Sequence, residues 1–337
     1  MKKKSDRQIK ALILILEIVF AMTIRKSYSD AVMITRKTIN LIFVVLVCAG
    51  IFSFSLSRIC QADSDPVSSR ISDSQPLWEV GLFNVVARLP HYRGSDETTT
   101  YAFPLPYLIY RGDFFQMNRD GVKGIFLRSE SFELDTSLYG NPPVDGDNQA
   151  RSGMEELEPT FEIGPSLKWF PFGRQSDITT YFKAAVRGVG SIDFPGDMEI
   201  RYQGIHGEIE WISQVVAPFG YRDWLVGVSL GADFTNREYN RYFYDVSSEY
   251  VRNDRPAYQS SGGYGGAKFS TYAGKKITPD ITCWAWFRWE NIDDAVFEDS
   301  PLVRDKNNFS MSLALSWTIA RSTHQVTAHM LTHDNPW

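Results

Sequence analysis

The chain has 337 residues, 35 Lys and Arg against 40 Asp and Glu, and a formal net charge of −5. That balance excludes a general electrostatic attraction to nucleic acid. Aromatic residues reach 14% of the chain, and of its 3 cysteines Cys48 and Cys60 lie in or beside an apolar leader. Cys283 is left in the body, without a partner for an internal disulfide and without metal-ligand spacing.

The first sixty residues differ from the rest. Lys2-Lys3-Lys4 precede an apolar run from Ala11 to Met22, and Arg36-Lys37 precede a stronger one from Ile39 to Phe54. The second run reaches Cys60-Gln61-Ala62, a small-x-small cleavage site before Asp63. This is the three-part layout of a secretory signal. Residues 1–62 are therefore expected to be an N-terminal extension plus a cleaved signal peptide, with Met33 placed as the true start. Glu17 in the first run and the cleavage site after the second argue against the rival, an uncleaved anchor of two short helices. Residues 63–76, DSDPVSSRISDSQP, read as a flexible lead-in.

After Ala62 no apolar stretch approaches the roughly 20 residues that a membrane helix needs. The body alternates instead. Phe161, Ile163, Pro165, Leu167 and Trp169 interleave with Thr160, Glu162, Gly164, Ser166 and Lys168. Phe182, Ala184 and Val186 interleave with Lys183, Ala185 and Arg187. The pattern recurs from Trp224 to Thr235, from Ile281 to Glu290 and, most cleanly, in NFSMSLALSWTIA from Asn308 to Ala320. Period two marks strands with one apolar face and one charged or small-residue face. A soluble sandwich would alternate too, so alternation alone does not decide for a membrane.

Loop lengths help to decide. Strands are expected at about 78–90, 99–111, 131–140, 157–170, 178–191, 200–217, 223–236, 262–274, 280–293 and 307–319. Their connections alternate long (91–98, 141–156, 192–199, 237–261, 294–306) and short (171–177, 218–222, 275–279). Outer-membrane barrels pair long external loops with short periplasmic turns, and a sandwich has no reason to. Segment 113–128 adds a hairpin around Arg119-Asp120-Gly121. The expectation is an all-β, transmembrane, antiparallel up-and-down β-barrel of about twelve strands, with ten as the fallback. It spans 77–319, followed by a tail at 320–337.

Parity sends Glu162, Lys168, Lys183, Arg187, Glu208, Glu210, Asp233, Lys268, Arg288 and Glu290 into the lumen. They are of mixed sign in a narrow barrel, which leaves two outcomes open, a salt-bridged interior or a pore lining. A catalytic carboxylate pair at Glu208 and Glu210 would need split pKa values, which no sequence feature supplies. His91 and His206 lie in no nucleophile motif, so no enzyme is expected. The glycines at 262–266 lack the Lys-Ser/Thr and helix of a phosphate loop. The tail histidines His324, His329 and His333 are weak evidence for a metal. Neither catalytic, cofactor nor metal residues are assigned. The loop 237–261 carries Tyr239, Arg241, Tyr242, Tyr244, Tyr250, Arg255 and Tyr258, residue types that dominate binding hot spots, and is the candidate contact surface.

Ordered motifs across the body add a resemblance. WEVGL from Trp78, Tyr92-Arg93-Gly94-Ser95, Pro104-Leu105-Pro106-Tyr107, Leu157-Glu158-Pro159, YNRYFYDV from Tyr239 and Ser300-Pro301-Leu302-Val303 fall in the order found in the MltA-interacting protein (MipA)/OmpV family. The chain resembles that family over 77–319. The resemblance implies a barrel in the Gram-negative outer membrane, in contact with its lipid. It further implies a scaffold joining a lytic murein transglycosylase to a peptidoglycan synthase, or else a small solute channel of the osmotic-response type. The tail after Arg321 departs from the family, whose members usually end near the last strand.

Overall fold

The computed structural model describes residues 74–112, 115–118, 121–144, 148–174, 178–193 and 198–327. The signal-peptide reading of 1–62, most of the lead-in and the histidines at 329 and 333 lie outside these residues.

Twelve strands close a barrel. In chain order they are β2 (Trp78–Pro90), β3 (Thr98–Arg111), β4 (Phe115–Asn118), β5 (Gly121–Arg128), β6 (Phe132–Asn141), β7 (Thr160–Trp169), β8 (Ile178–Ile192), β9 (Ile200–Val216), β10 (Trp224–Thr235), β11 (Gly263–Thr278), β12 (Ile281–Asn291) and β13 (Asn307–Arg321). Each pairs antiparallel with the next, and β13 returns to β2 to close the wall. The order is up-and-down, as the alternating loop lengths require. A separate ribbon joins β1 (Ser74–Pro76) to β14 (Gln325–Thr327). It ties residues read as lead-in to residues read as tail, so these parts of both are extended and paired. The turn expected at 275–279 is shorter than read, because β11 continues to Thr278.

The radial distribution of side chains is inverted relative to a water-soluble protein. Outward positions hold Val86, Leu138, Ile163, Phe182, Val186, Ile209, Leu230, Leu313 and Ile319, and Leu313 is 66% exposed. Inward positions hold charge, yet Glu162 and Arg187 are each 1% exposed. In water the outer face would be an apolar patch far larger than monomers tolerate. Against hydrocarbon the same face is favourable, and closure gives each of the twelve described barrel strands a hydrogen-bonded neighbour on both sides. Exposed Phe172, Phe219 and Tyr221 cluster at the short-turn end, where rings suit a membrane boundary.

Cross-strand aromatics fold over glycines on the inner face. Tyr272 lies opposite Gly227 in the β10–β11 ladder. A Cβ on Gly227 would stand 2.2 Å from its ring. The Tyr272 hydroxyl then donates to Gln214 Oε1 at 2.7 Å. Substitution Gly227→Val should dislodge the ring and cost on the order of 1–3 kcal/mol by overpacking. The expected result is a lower conversion temperature of the folded band in heat-modifiable gel mobility, and an unchanged temperature would refute the packing role.

Candidate functional site

The lumen between β7 and β12 is filled by one charge lattice. Arg187 on β8 is its centre. Its Nε donates to Glu162 Oε2 on β7 at 2.8 Å and its Nη1 to Glu208 Oε1 on β9 at 2.9 Å. Nη1 also reaches Ser137 Oγ on β6 at 3.0 Å. Glu208 receives two further cations, Lys183 at 2.5 Å and Lys268 at 2.7 Å. Lys268 continues to Asp233 at 3.0 Å. His206 bridges the sides, with Nδ1 2.8 Å from Glu162 and Nε2 3.3 Å from Asp233. Period two explains the convergence. Glu162, Arg187, His206, Glu208, Asp233 and Lys268 are cross-strand neighbours on one face of β7 to β11.

A second cluster lies between β5 and β8. Lys168 is 3.3 Å from Asp135 and 3.8 Å from Glu133, and Arg128 and Arg174 hold Glu133 at 2.9 and 2.8 Å. Arg174 also stacks on Phe170, its guanidinium carbon 3.8 Å from the ring centroid.

The long-loop end is shut by a small hydrophobic core made of loops. Tyr92, Val144, Leu157, Tyr239, Phe243, Tyr244, Val246, Ile292, Phe297 and Leu302 are among its buried members. Helix α1 (Arg237–Tyr244) supplies three of them. Asn236 seats it: its Oδ1 accepts from Tyr239 N at 3.1 Å as an N-cap and from Ile205 N of β9 at 2.9 Å. The wall beneath is Gly204, at φ +121°, where a Cβ would stand 2.4 Å from Tyr239 N. Tyr244 stacks on Phe297 with centroids 3.8 Å apart. Its hydroxyl donates to Arg93 O at 2.9 Å, and that of Tyr92 to Leu302 O at 2.7 Å. Burial pushes both phenols well above their ordinary range, and Tyr242 up to about 12, so all three stay protonated donors near neutrality.

Arg93 joins this cap to the lattice. It leaves the β2–β3 loop, donates to Gly265 O at 2.8 Å, and pairs with Asp233 at 3.2 Å and Glu290 at 3.3 Å.

The structure brings Glu162, Lys183, Arg187, Glu208, Asp233 and Glu290 into the lattice or its link to the cap, with Glu210 at its edge, 3.8 Å from Lys183. Lys168 falls in the second cluster, and Arg288 stands apart, donating to Tyr139 Oη at 3.0 Å and Ser270 Oγ at 3.3 Å. Glu133 and Asp135 were missed, although Phe132-Glu133-Leu134-Asp135 carries the alternation that finds them. Arg93 has no local signal, since its partners come from strands more than a hundred residues away.

The reading of loop 237–261 as a contact surface is corrected. Tyr239, Tyr244 and Arg255 are buried, and Tyr242, Tyr250 and Tyr258 pack against the cap core. Arg255 donates to the carbonyls of Tyr250, Ala150 and Ser152. Arg241 is the exposed member. These side chains are spent inside the cap because it is the loops' own hydrophobic core. His91 is also internal, bonded to Thr99 at 2.8 Å and Asn148 at 3.0 Å.

The family model for MltA-interacting protein MipA matches residues 81–319. No curated protein matches the chain. Among solved structures the fold is similar to the NanC porin, with 8% identity and TM-score 0.34 over 70% of this chain and 98% of that one. It is similar to an outer membrane channel from Pseudomonas putida F1, with 12% identity and TM-score 0.30 over 76% and 100%. It is likewise similar to the outer membrane protein OprD of Pseudomonas aeruginosa, with 9% identity and TM-score 0.28 over 81% and 98%. At these values the likeness carries no argument about activity.

Removing one partner of a buried charge network leaves the others uncompensated, at about 3–5 kcal/mol. Arg187→Ala should therefore lower the urea midpoint of the bilayer-reconstituted barrel, followed by Trp fluorescence. Adding Glu162→Gln should recover part of the loss. Equal midpoints for wild type and Arg187→Ala would show that the lattice contributes nothing to stability.

Proposed function

This chain belongs to the MltA-interacting protein MipA family, and from that we propose that it is a non-enzymatic outer-membrane scaffold. It docks a lytic murein transglycosylase, the partner class that the family's description as MltA-interacting suggests, and through it a peptidoglycan synthase. The observation that carries this reading over a solute channel is the filled lumen. Arg187, Lys183 and Lys268 neutralise Glu162, Glu208 and Asp233 across the barrel. The loop core stands above them, and Tyr272, Trp284 and Trp286 pack toward the other end. A conducting pore needs a continuous water path, and ion pairs across a narrow lumen oppose it.

The surface offered to a cell-wall enzyme is the short-turn end. Its turns are small, but the β1–β14 ribbon adds an extended edge there, hydrogen-bonded to the wall through Leu77 N to His324 O at 2.9 Å and Ser322 N to Trp78 O at 2.8 Å. Among the described residues, no group in the lumen stands as an activated nucleophile. His206 is held by two carboxylates and not beside a free hydroxyl.

The test is affinity capture from solubilised envelope, with the protein from Asp63 onward as bait and an unrelated barrel as control. Specific recovery of a murein transglycosylase is the expected result, and recovery of nothing beyond the control would overturn the scaffold reading. In planar bilayers the same protein should show no steady conductance where a control porin conducts. Sustained ohmic steps that Arg187→Glu alters would transfer the function to a solute channel.

A further inference from the structure

The outward face of the wall holds a carboxamide at mid-membrane depth. The outward hydroxyls of Thr136, Thr180, Ser213 and Thr271 bond within the wall. Thr136 Oγ1 accepts from Gly124 N at 2.8 Å, Thr180 Oγ1 meets Ser213 Oγ at 2.9 Å, and Thr271 Oγ1 donates to Gly227 O at 3.1 Å. Asn84 differs. It sits at the centre of β2, six residues from Trp78 and six from Pro90, about 20 Å along the strand from either end. Phe83 and Val85 on either side of it pack inward with Trp284 and Trp286, so parity points Asn84 at the lipid. Its side chain is exposed, and among the described residues nothing bonds its amide.

Hydrocarbon offers such an amide nothing. Two N–H donors and a carbonyl oxygen are left without water or partner, which is costly in an apolar medium. The surface beside the amide is low. Asn84 lies opposite Pro104 in the β2–β3 ladder and opposite Leu315 in the β13–β2 ladder. Ala102, Pro104 and Pro106 of β3 and Val86 of β2 are exposed around it, and short side chains let a second backbone approach closely. The outward positions of β2 from Trp78 to Val86 and of β3 from Ala102 to Leu108 carry no charge.

We propose that this face, centred on Asn84, is the two-fold interface of a homodimer within the membrane. The occupant follows from symmetry. Two copies inserted with the same orientation are related by an axis along the membrane normal, which leaves every residue at its own depth. Asn84 of one copy then meets Asn84 of the other. A carboxamide carries both donor and acceptor, so each Nδ2 donates to the other copy's Oδ1 and the pair closes two hydrogen bonds. A second copy brings a matching group to that depth by construction. A foreign chain would need a polar side chain placed there independently, and acyl chains have none. With no charge on the outward positions around Asn84, the two walls abut without like-charge contact. The assignment is independent of the scaffold reading, since it involves neither the short turns nor the ribbon.

Energy transfer and disulfide trapping test it on the full-length chain in phosphatidylcholine vesicles. Donor- and acceptor-labelled pools, reconstituted together, should show more transfer than an unrelated barrel at equal density. Asn84→Leu, a side chain that lipid favours, should raise the protein-to-lipid ratio at half-maximal transfer about tenfold, the scale of a hydrogen-bonded pair within a membrane. Val86→Trp, which adds bulk beside the amide and keeps it, should also weaken transfer. Asn84→Cys, combined with Cys48→Ser, Cys60→Ser and Cys283→Ser, should cross-link to a dimer on mild oxidation. Val186→Cys in the same background should not, because Val186 is exposed on β8 at the opposite side of the ring. Heat-modifiable gel mobility verifies that the variants fold. Transfer no greater than that of the unrelated barrel would overturn the interface. So would an Asn84→Leu midpoint equal to that of wild type, or cross-linking as strong from position 186 as from position 84.

Discussion

The constraint on which the rest of the molecule depends is that hydrocarbon surrounds the wall. In that medium backbone amides must be paired within the protein, and an exposed charge is expensive. Closure of β13 onto β2 meets the first demand along the belt. Period two meets the second, because it sends every other side chain inward. The consequence is electrostatic. Much of the charge of the long strands enters a space only side chains wide, and it must cancel there. Five carboxylates, Glu162, Glu208, Glu210, Asp233 and Glu290, meet four permanent cations, Arg93, Lys183, Arg187 and Lys268, with His206 between two of the acids.

That cancellation explains why the cap is attached as it is. The loop core could stand on burial alone, since Tyr92, Phe243, Tyr244, Phe297 and Leu302 give it the composition of a small domain interior. Arg93 makes it part of the barrel. One side chain satisfies Asp233 and Glu290 below while its own carbonyl receives Tyr244 from above. The cap therefore cannot lift without exposing two lumen carboxylates, and cap and lattice stand or fall as one unit. Gly94 reinforces the hinge of that loop, donating to Asn308 Oδ1 at 2.5 Å, while Asn308 Nδ2 donates to Ser95 O at 2.8 Å.

Much of this was legible in the sequence, and the division has a physical reason. Strand positions and the inward set followed from alternation, which is strict wherever lipid lies on one side. Asn308 to Ala320 shows it, and the observed β13 keeps the parity as far as Thr318, where a register shift against β2 interrupts it. The loops obey no period. Tyr239, Tyr244 and Arg255 were read as an outward contact surface, because composition cannot say that such residues are turned onto the chain's own neighbouring loops. Helix α1 was hidden for a related reason. Eight residues with four aromatics have weak intrinsic helicity, and its stability comes from Asn236 and from the glycine-thinned wall at Gly204, neither of which reads as a helix signal in a loop. Arg93 and the β1–β14 ribbon rest on contacts between residues far apart in the chain, which no window of sequence contains.

Arg288 shows where the parity argument stops. Sequence placed it with the other lumen charges, and its position on the inner face is as regular as theirs. What separates it is the wall opposite. Lys183, Arg187 and Lys268 look across at β7, β9 and β10, full-length strands that bring a carboxylate within reach. Arg288 reaches instead to β6, where the inner surface offers the Tyr139 hydroxyl. Counted with the lattice, Arg288 brings the permanent cations to five against five carboxylates, so its charge is balanced by the inward set as a whole rather than by one facing partner.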